Sequence, residues 1–429
     1  MPKISKPGII IVFAITGLAL FGLVEKVEAA DETAASCSAV DIQTAVNMVL
    51  GSGDADNTVN IPACNIVWTV GEKVNVSTGL SKKIRLIGSG QSTTKIKYFQ
   101  IGVPSDTLVS HIVEWAHMTV WSDGVTNLPP ISARLRSDPP GQELYWHDIT
   151  IDSYKTNYVL HLEGWRGVIT RFTMIGVDIP SGQNNYGIGI HGDGVYSAHR
   201  NDLGTRNALF IEDSSFSYYS HTISLFCDAF AVFRHNTVNY ADAYIDIHGP
   251  GYNFCKYGPT QPNDKHGGGG YEVYGNTFNN YQGSWLVSPR AGSAGIIVNN
   301  RVGIPGNETF FVAVRADSGV CNNSVNCGSG AGQTCSRKYL IDSSNGCTQA
   351  KENWYIWNNT GAPSGEIYLY GETTCASQCV RADIDYFNRA PTLVADGFTW
   401  MPFTYPHPLT LGDGGDTTPP SAPTGLTVE

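Results

Sequence analysis

Charged side chains are scarce: Asp, Glu, Lys and Arg together make up 15% of the 429 residues. A chain this poor in charge cannot clothe the solvent faces of many long amphipathic helices, and helical periodicity is correspondingly rare along it. Basic residues are also outnumbered, 27 Lys and Arg against 38 Asp and Glu, for a formal net charge of −11. Such a surface repels nucleic acid and anionic membranes at long range, so neither is an expected partner. Extended disorder is excluded as well, because 41% hydrophobic residues suffice for a large core.

Long apolar runs are missing except for one, residues 8–24, preceded by Lys3 and Lys6 and followed by "VEAA" (27–30). That is the layout of a secretory signal peptide over residues 1–30, cleaved after Ala29 or Ala30. An uncleaved anchor is the alternative, although 17 residues sit at the short limit for crossing a bilayer. Cleavage removes three Lys and two Glu and moves the net charge from −11 to −12. The mature chain is expected to be secreted, extracellular or on the cell surface, with no membrane span. All ten Cys follow the leader, an even number that suggests disulfides in an exported chain. Proximity pairs Cys37 with Cys64, Cys227 with Cys255, Cys321 with Cys327, Cys335 with Cys347 and Cys375 with Cys379. Zinc is the rival reading of the cysteines, but "CASQC" (375–379) has no His-rich segment near it.

What the chain does have is Gly (47), Tyr (21) and abundant Asn, Ser and Thr, the composition of a turn-rich all-β protein. Short strand-like segments recur, among them "AVFRHNTV" (231–238), "YEVYGNTF" (271–278) and "GIIVNNRV" (295–302). Aligned on a small residue followed by an apolar one, they give Thr119-Val120, Thr150-Ile151, Thr173-Met174, Ser215-Phe216, Thr237-Val238, Thr277-Phe278 and Arg301-Val302, the last with the small residue replaced. Successive spacings are 31, 23, 42, 22, 40 and 24 residues. A period near 23, sometimes doubled by an insert, marks a solenoid whose units bury their apolar faces by stacking. The units are β-branched and aromatic and are separated by turn residues, without the leucine spacing of leucine-rich repeats or the longer period of propeller blades. A parallel β-helix remains. In it Asn236, Asn276, Asn300 and Asn359 share one column, where each carboxamide can donate to one neighbour and accept from the next. Earlier coils place Met118, Ile149 and Phe172 there, so the column begins apolar.

These rungs resemble the secreted right-handed parallel β-helix proteins of the pectate-lyase-like superfamily. "CSAVDIQTAVNMVL" (37–50) is similar to their amphipathic capping helix, "TVNIPACNIVWTV" (58–70) to their first strand pair, and "KKIRLIGSGQSTTKIKY" (82–98) to the following coil. The likeness covers residues 37–411 or so. It implies an all-β fold, a right-handed parallel β-helix (solenoid) with an N-terminal capping helix and an irregular C-terminal cap. The superfamily holds lyases, hydrolases, epimerases and non-catalytic members, so the resemblance points to fold more than to activity. The helical lid is expected to bury Val40, Ala45, Val46, Val49 and Leu50. Residues 31–411 then form the β-helix domain, closed by the Pro-interrupted "FTWMPFTYPHPLTL" (398–411). Residues 412–429 read as a Pro/Thr/Gly-rich linker whose "PPSAPTGLTV" resembles the entry to a fibronectin-III-like module.

Candidate chemistry clusters at strand ends. "LHLEGW" (160–165), "IGIHGD" (188–193) and "IDIHGP" (245–250) put Glu163, His191 and His248 in one column facing outward. His161 and Asp246 lie two residues back, Asp193 just beyond, and Arg290 of "WLVSPR" near the same strand end. Cleavage of a polyuronate by β-elimination needs a base for the proton α to the carboxylate and a cation to neutralise that carboxylate. His248 or His191 suits the base, Arg290 the neutralising charge, and Asp193 and Asp246 suit calcium ligands. Hydrolysis by an inverting glycoside hydrolase needs two carboxyl groups across the scissile bond, for which Glu163 and Asp246 are available. A plain structural role, with strand-end histidines bonding the next coil, accounts for the same residues. Neither an adjacent Asp-Asp pair nor the Arg-Ile-Lys of polygalacturonases is present, and the Arg-bearing pattern of the best-known pectate lyases is missing too. Glu212 and Asp213 against Arg234 and His235 suit ion pairs between coils. Trp115, Trp121, Trp146, Trp165 and Trp285 are either core or platforms for sugar rings, which keeps a non-catalytic carbohydrate-binding, adhesive or structural protein in view. Under each of the catalytic and binding readings the partner is an extracellular polysaccharide.

Overall fold

The computed structural model describes residues 30–411 except 53, 55, 77–82, 103–108, 111, 125–128, 132–134, 138–140, 156–157, 178–185, 193–198, 227, 241–242, 248–268, 281–284, 290–293, 306–309, 316–352, 363–364, 371–381 and 384–385. Apart from Ala30, the expected leader and the linker therefore lie outside the described residues, as do all cysteines but Cys37 and Cys64.

Each coil passes through three strand positions that stack in parallel on the next coil, forming a parallel β-helix. One lap is Leu209–Glu212, Ser215–Ser217 and His221–Phe226, after which Phe230–Arg234 begins the next. The three stacks are faces I, II and III in that order. Faces I and II belong to one 19-stranded sheet, because Ile112–Trp121 and Glu143–Asp152 run through both, and face III is a nine-stranded sheet. Alternation decides what turns inward: Ile211, Phe233, Val273 and Ile297 from face I, Phe216, Val238 and Phe278 from face II, Ile190, Leu225 and Ile247 from face III, all buried. The repeat residues pair across coils as the alignment requires, Thr119 with Thr150, Thr150 with Thr173, Thr173 with Ser215, Ser215 with Thr237, Thr237 with Thr277 and Thr277 with Arg301.

The turn from face I to face II is made by two residues. The first has left-handed backbone in coil after coil, at His117, Asp148, Arg171, Asp213, His235, Gly275, Asn299 and Asn358, with φ between 51° and 68°. The second points inward and forms the ladder. Asn236 Nδ2 donates to Asn276 Oδ1 at 3.2 Å, Asn276 to Asn300 and Asn300 to Asn359 at 2.8 Å each, and Asn359 ends on Glu366 Oε1 at 2.7 Å. Each amide also donates to a main-chain carbonyl of the preceding coil, as Asn276 does to Phe233 at 2.9 Å. Toward the N-terminus Ser214 accepts from Phe172 N–H, and Phe172, Ile149 and Met118 continue the file as buried apolar groups.

The first coil is covered by α1 (Ala39–Gly51), capped by Ser38, whose side chain accepts from Asp41 N–H. The helix buries Ile42, Ala45, Val46, Val49 and Leu50, whereas Val40, expected on that face, is 70% exposed. Two positions before Ile42, it lies on the far side of a 3.6-residue turn. A disulfide joins Cys37 and Cys64, tying the helix entry to the strand Cys64–Val67. The four other cysteine pairs fall outside the described residues.

The described residues end in an irregular segment. From Phe398 to His407 it runs back along the outer surface of face I as a strap. No helix among the described residues is long and apolar enough to cross a membrane.

Candidate functional site

Face III carries an outward file of residues that alternation sets opposite the core. Glu163 pairs in register with His191, and His191 with Phe226. Two residues back run His161, Gly189, Ser224, Asp246 and Ser288. This set is not the solvated surface that the pattern suggested: Glu163 is 3%, His191 2% and Asp246 1% exposed. Aromatic rings cover His191 and the file beside it. Tyr158 folds over the bare backbone of Gly189, where a Cβ would meet its ring at 2.7 Å, and lies 4.9 Å from the His161 ring. Phe226 stacks on His191 at 4.8 Å, and His161 meets His191 at 4.4 Å.

A second row lies alongside. Tyr158, Tyr186 and His221 stack on three successive coils, with ring centroids 4.9 and 4.5 Å apart. His221 Nε2 is 3.4 Å from Asp246 Oδ2, so a half-buried imidazole is held by a buried carboxylate of the next coil. Beside His191 a groove opens along the strand ends, lined in part by Trp165, Arg166, Asp202, Asn207 and Asp228. Tyr158, Tyr186 and His221 escaped the reading of strand-end motifs because they open their strands, and Phe226 because no Gly follows it; the cross-coil register is what collects them.

Of the residues singled out from sequence, Glu163, His191 and Asp246 are on this face, and Asp193, His248 and Arg290 lie outside the described residues. Glu163 and Asp246 are not brought together. Three strand steps separate their coils, about 14 Å, against the roughly 6.5–9.5 Å between carboxyl groups of an inverting hydrolase. Trp115, Trp146 and Trp165 are buried, with their indole N–H groups bonded to Met118 Sδ, Ile112 O and Leu135 O, so they are core rather than sugar platforms. Trp121 is half-buried, and the Trp285 side chain is outside the description.

Face I holds a separate charged row. Glu212 and Arg234 form the expected pair, with Arg234 Nε donating to Glu212 Oε2 at 2.6 Å. Arg234 also donates to the strap carbonyls of Phe403 and Thr404 at 2.7 and 2.9 Å. Burial raises the Glu212 carboxyl above its ordinary value, while Arg234 and the His407 N–H pull it back. Further toward the N-terminus His147, His117 and Asp148 place ring nitrogens and a carboxylate oxygen within 4.8 Å of one another. Arg171 donates to Asp148 at 2.9 and 2.8 Å and approaches His147 Nδ1 at 3.3 Å, so a guanidinium stands where a cation would sit. That cluster is read as an ion-pair network.

The fold and the face III geometry thus define a parallel β-helix with an aromatic and histidine-rich outer face. No family model, no curated protein and no solved structure matches the chain.

Proposed function

We propose that the chain is a secreted member of the pectate-lyase-like superfamily that binds an acidic polysaccharide along face III and cleaves it by β-elimination. The observation that carries this reading is the His221–Asp246 pair at 3.4 Å, set at the end of the Tyr158–Tyr186–His221 stack. The stack lines the ground beside His221 with aromatic edges, and a carboxylate that orients an imidazole suits a general base. In the step itself the imidazole takes the proton α to the uronate carboxylate. The electron pair left behind forms the new C=C bond, the glycosidic C–O bond breaks, and water protonates the departing oxygen while the imidazolium returns its proton to solvent. His191 and His248 are the alternative bases, and Arg290 is assigned to the carboxylate.

Calcium is proposed at Asp246, with Asp193. Ser224 and Ser288 flank Asp246 in its file, and their buried hydroxyls have no hydrogen-bond partner among the described residues, so the local donors are hard oxygens of the kind calcium accepts. When bound, the ion would neutralise the uronate carboxylate. The stacked rings by themselves equally favour a carbohydrate-binding protein without chemistry.

Incubation with a panel of polyuronates, with and without calcium, separates the readings. Ultraviolet absorbance of unsaturated uronyl ends is expected, falling at least ~100-fold in His221→Ala with binding retained. New reducing ends without that absorbance would make the protein a hydrolase, and retained binding without any product would make it non-catalytic.

A further inference from the structure

Between the strap and the corner of faces I and II lies a cleft well away from face III. Its aromatic wall is Trp400, Phe403 and Tyr274, and its other side is formed by the corner residues Asn299 and Asn358 with Arg301. The wall is rigid. Trp400 donates its indole N–H to Glu272 at 3.0 Å and makes edge contacts with Tyr274 and Trp357, at centroid distances of 5.5 and 5.8 Å. A ring fixed in advance loses little freedom when a ligand stacks on it.

The opposite side supplies uncommitted polar groups. Left-handed backbone turns the Asn299 and Asn358 side chains outward into solvent, while the residues after them enter the ladder. Neither amide makes a side-chain hydrogen bond among the described residues. They sit one coil apart, about 4.8 Å, close to the length of a pyranose ring. Arg301 is exposed, and its one side-chain bond among the described residues runs from Nε to Thr277 Oγ1 at 3.1 Å. Arg85, Arg171, Arg206, Arg234 and Arg389 each pair with a carboxylate, whereas Arg301 forms no ion pair among the described residues. In a chain of net charge −11, a guanidinium left without an acidic neighbour beside an aromatic wall is a place for an external anion. The other basic group lining the cleft, His235, is covered by Tyr405 and held down to about 4 by burial and Arg234, so it adds no charge near neutrality.

We propose that this cleft is a second binding site, separate from face III, for one acidic sugar ring of a polysaccharide: the ring stacks on Trp400, the corner amides take its hydroxyls, and Arg301 takes its carboxylate. The inference borrows from the face III reading only the class of ligand. None of its residues belongs to the proposed catalytic set.

Calorimetry on the secreted full chain tests it, with a galacturonic acid trisaccharide as probe and a neutral galactose trisaccharide as control. Two acid-binding sites are expected in the wild type and one in Arg301→Gln, with the neutral probe unaffected by that substitution. If face III binds nothing, the wild type shows one site and Arg301→Gln none, which still supports the cleft. Asn358→Gly, which keeps the left-handed corner, should weaken the same site at least tenfold. Wild-type binding that persists unchanged in number and affinity in both variants, or a wild type that binds no acid probe, overturns the proposal.

Discussion

Face I presents the same pairing chemistry twice, once under the strap and once beyond its reach. Glu212 and Arg234 are both fully buried, and the guanidinium satisfies two strap carbonyls besides the carboxylate. Asp148 and Arg171, on the same sheet nearer the N-terminus, are 26% and 42% exposed and bond mainly to each other and to Tyr145 and His147. Both pairs join a carboxylate to a guanidinium on the next coil. What differs is water: under the strap each charge depends on its partner, while in the open pair solvent takes over when one partner leaves.

The largest effect should come from Arg234→Met. It leaves the buried Glu212 carboxylate with the His407 N–H but no balancing charge, and frees the carbonyls of Phe403 and Thr404, so a loss of about 3–5 kcal/mol is expected in denaturant unfolding. If Arg234→Met with Glu212→Gln is as unstable as the single variant, the buried charge is not the cause.

Glu272 should give an intermediate effect that depends on pH. Burial pushes this carboxyl up to about 7, against the Gly204 N–H and Trp400 N–H that favour its anion. A raised folded-state value means that folding takes up a proton. The contribution is therefore fully present below the ordinary carboxylate range, about 4.3, and is lost as pH rises through about 7. Unfolding measured between pH 4 and 8 should show stability declining across that window, and Glu272→Gln should flatten the slope. A slope that survives the substitution would assign the titration elsewhere.

The smallest effect belongs to Arg171→Ala. Its carboxylate partner is held well below the usual carboxylate range, with His147 and Arg171 bonding its anion against the opposing cost of burial. Screening of this part-exposed pair still limits the loss to within about 1 kcal/mol, shrinking further in salt. A loss as large as that of Arg234→Met would erase the contrast between the two regions.

Local pattern revealed a good deal of this. The small-apolar pairs from Thr119 to Arg301 lie in hydrogen-bonded register, and the amides of Asn236, Asn276, Asn300 and Asn359 bond in a file. Both follow from a repeat in which equivalent positions stack, so spacing along the chain translates directly into spacing in space. The Glu212–Arg234 pair was legible for the same reason. The burial of Glu163, His191 and Asp246 was not, because alternation tells which side of a strand a residue occupies and says nothing of what lies over it.

The sequence by itself determined the β-helix, its corner amides, its helical lid and the cross-coil pairs, all of which depend on one lap meeting the next. Only the tertiary structure decided that Tyr158 covers Gly189, that His221 reaches Asp246, and that Tyr405 meets Asp213 across 192 positions to set the strap on face I. Those contacts depend on side-chain direction and on where a non-repeating segment finds an apolar surface to bury, and neither has a period that can be read from the chain.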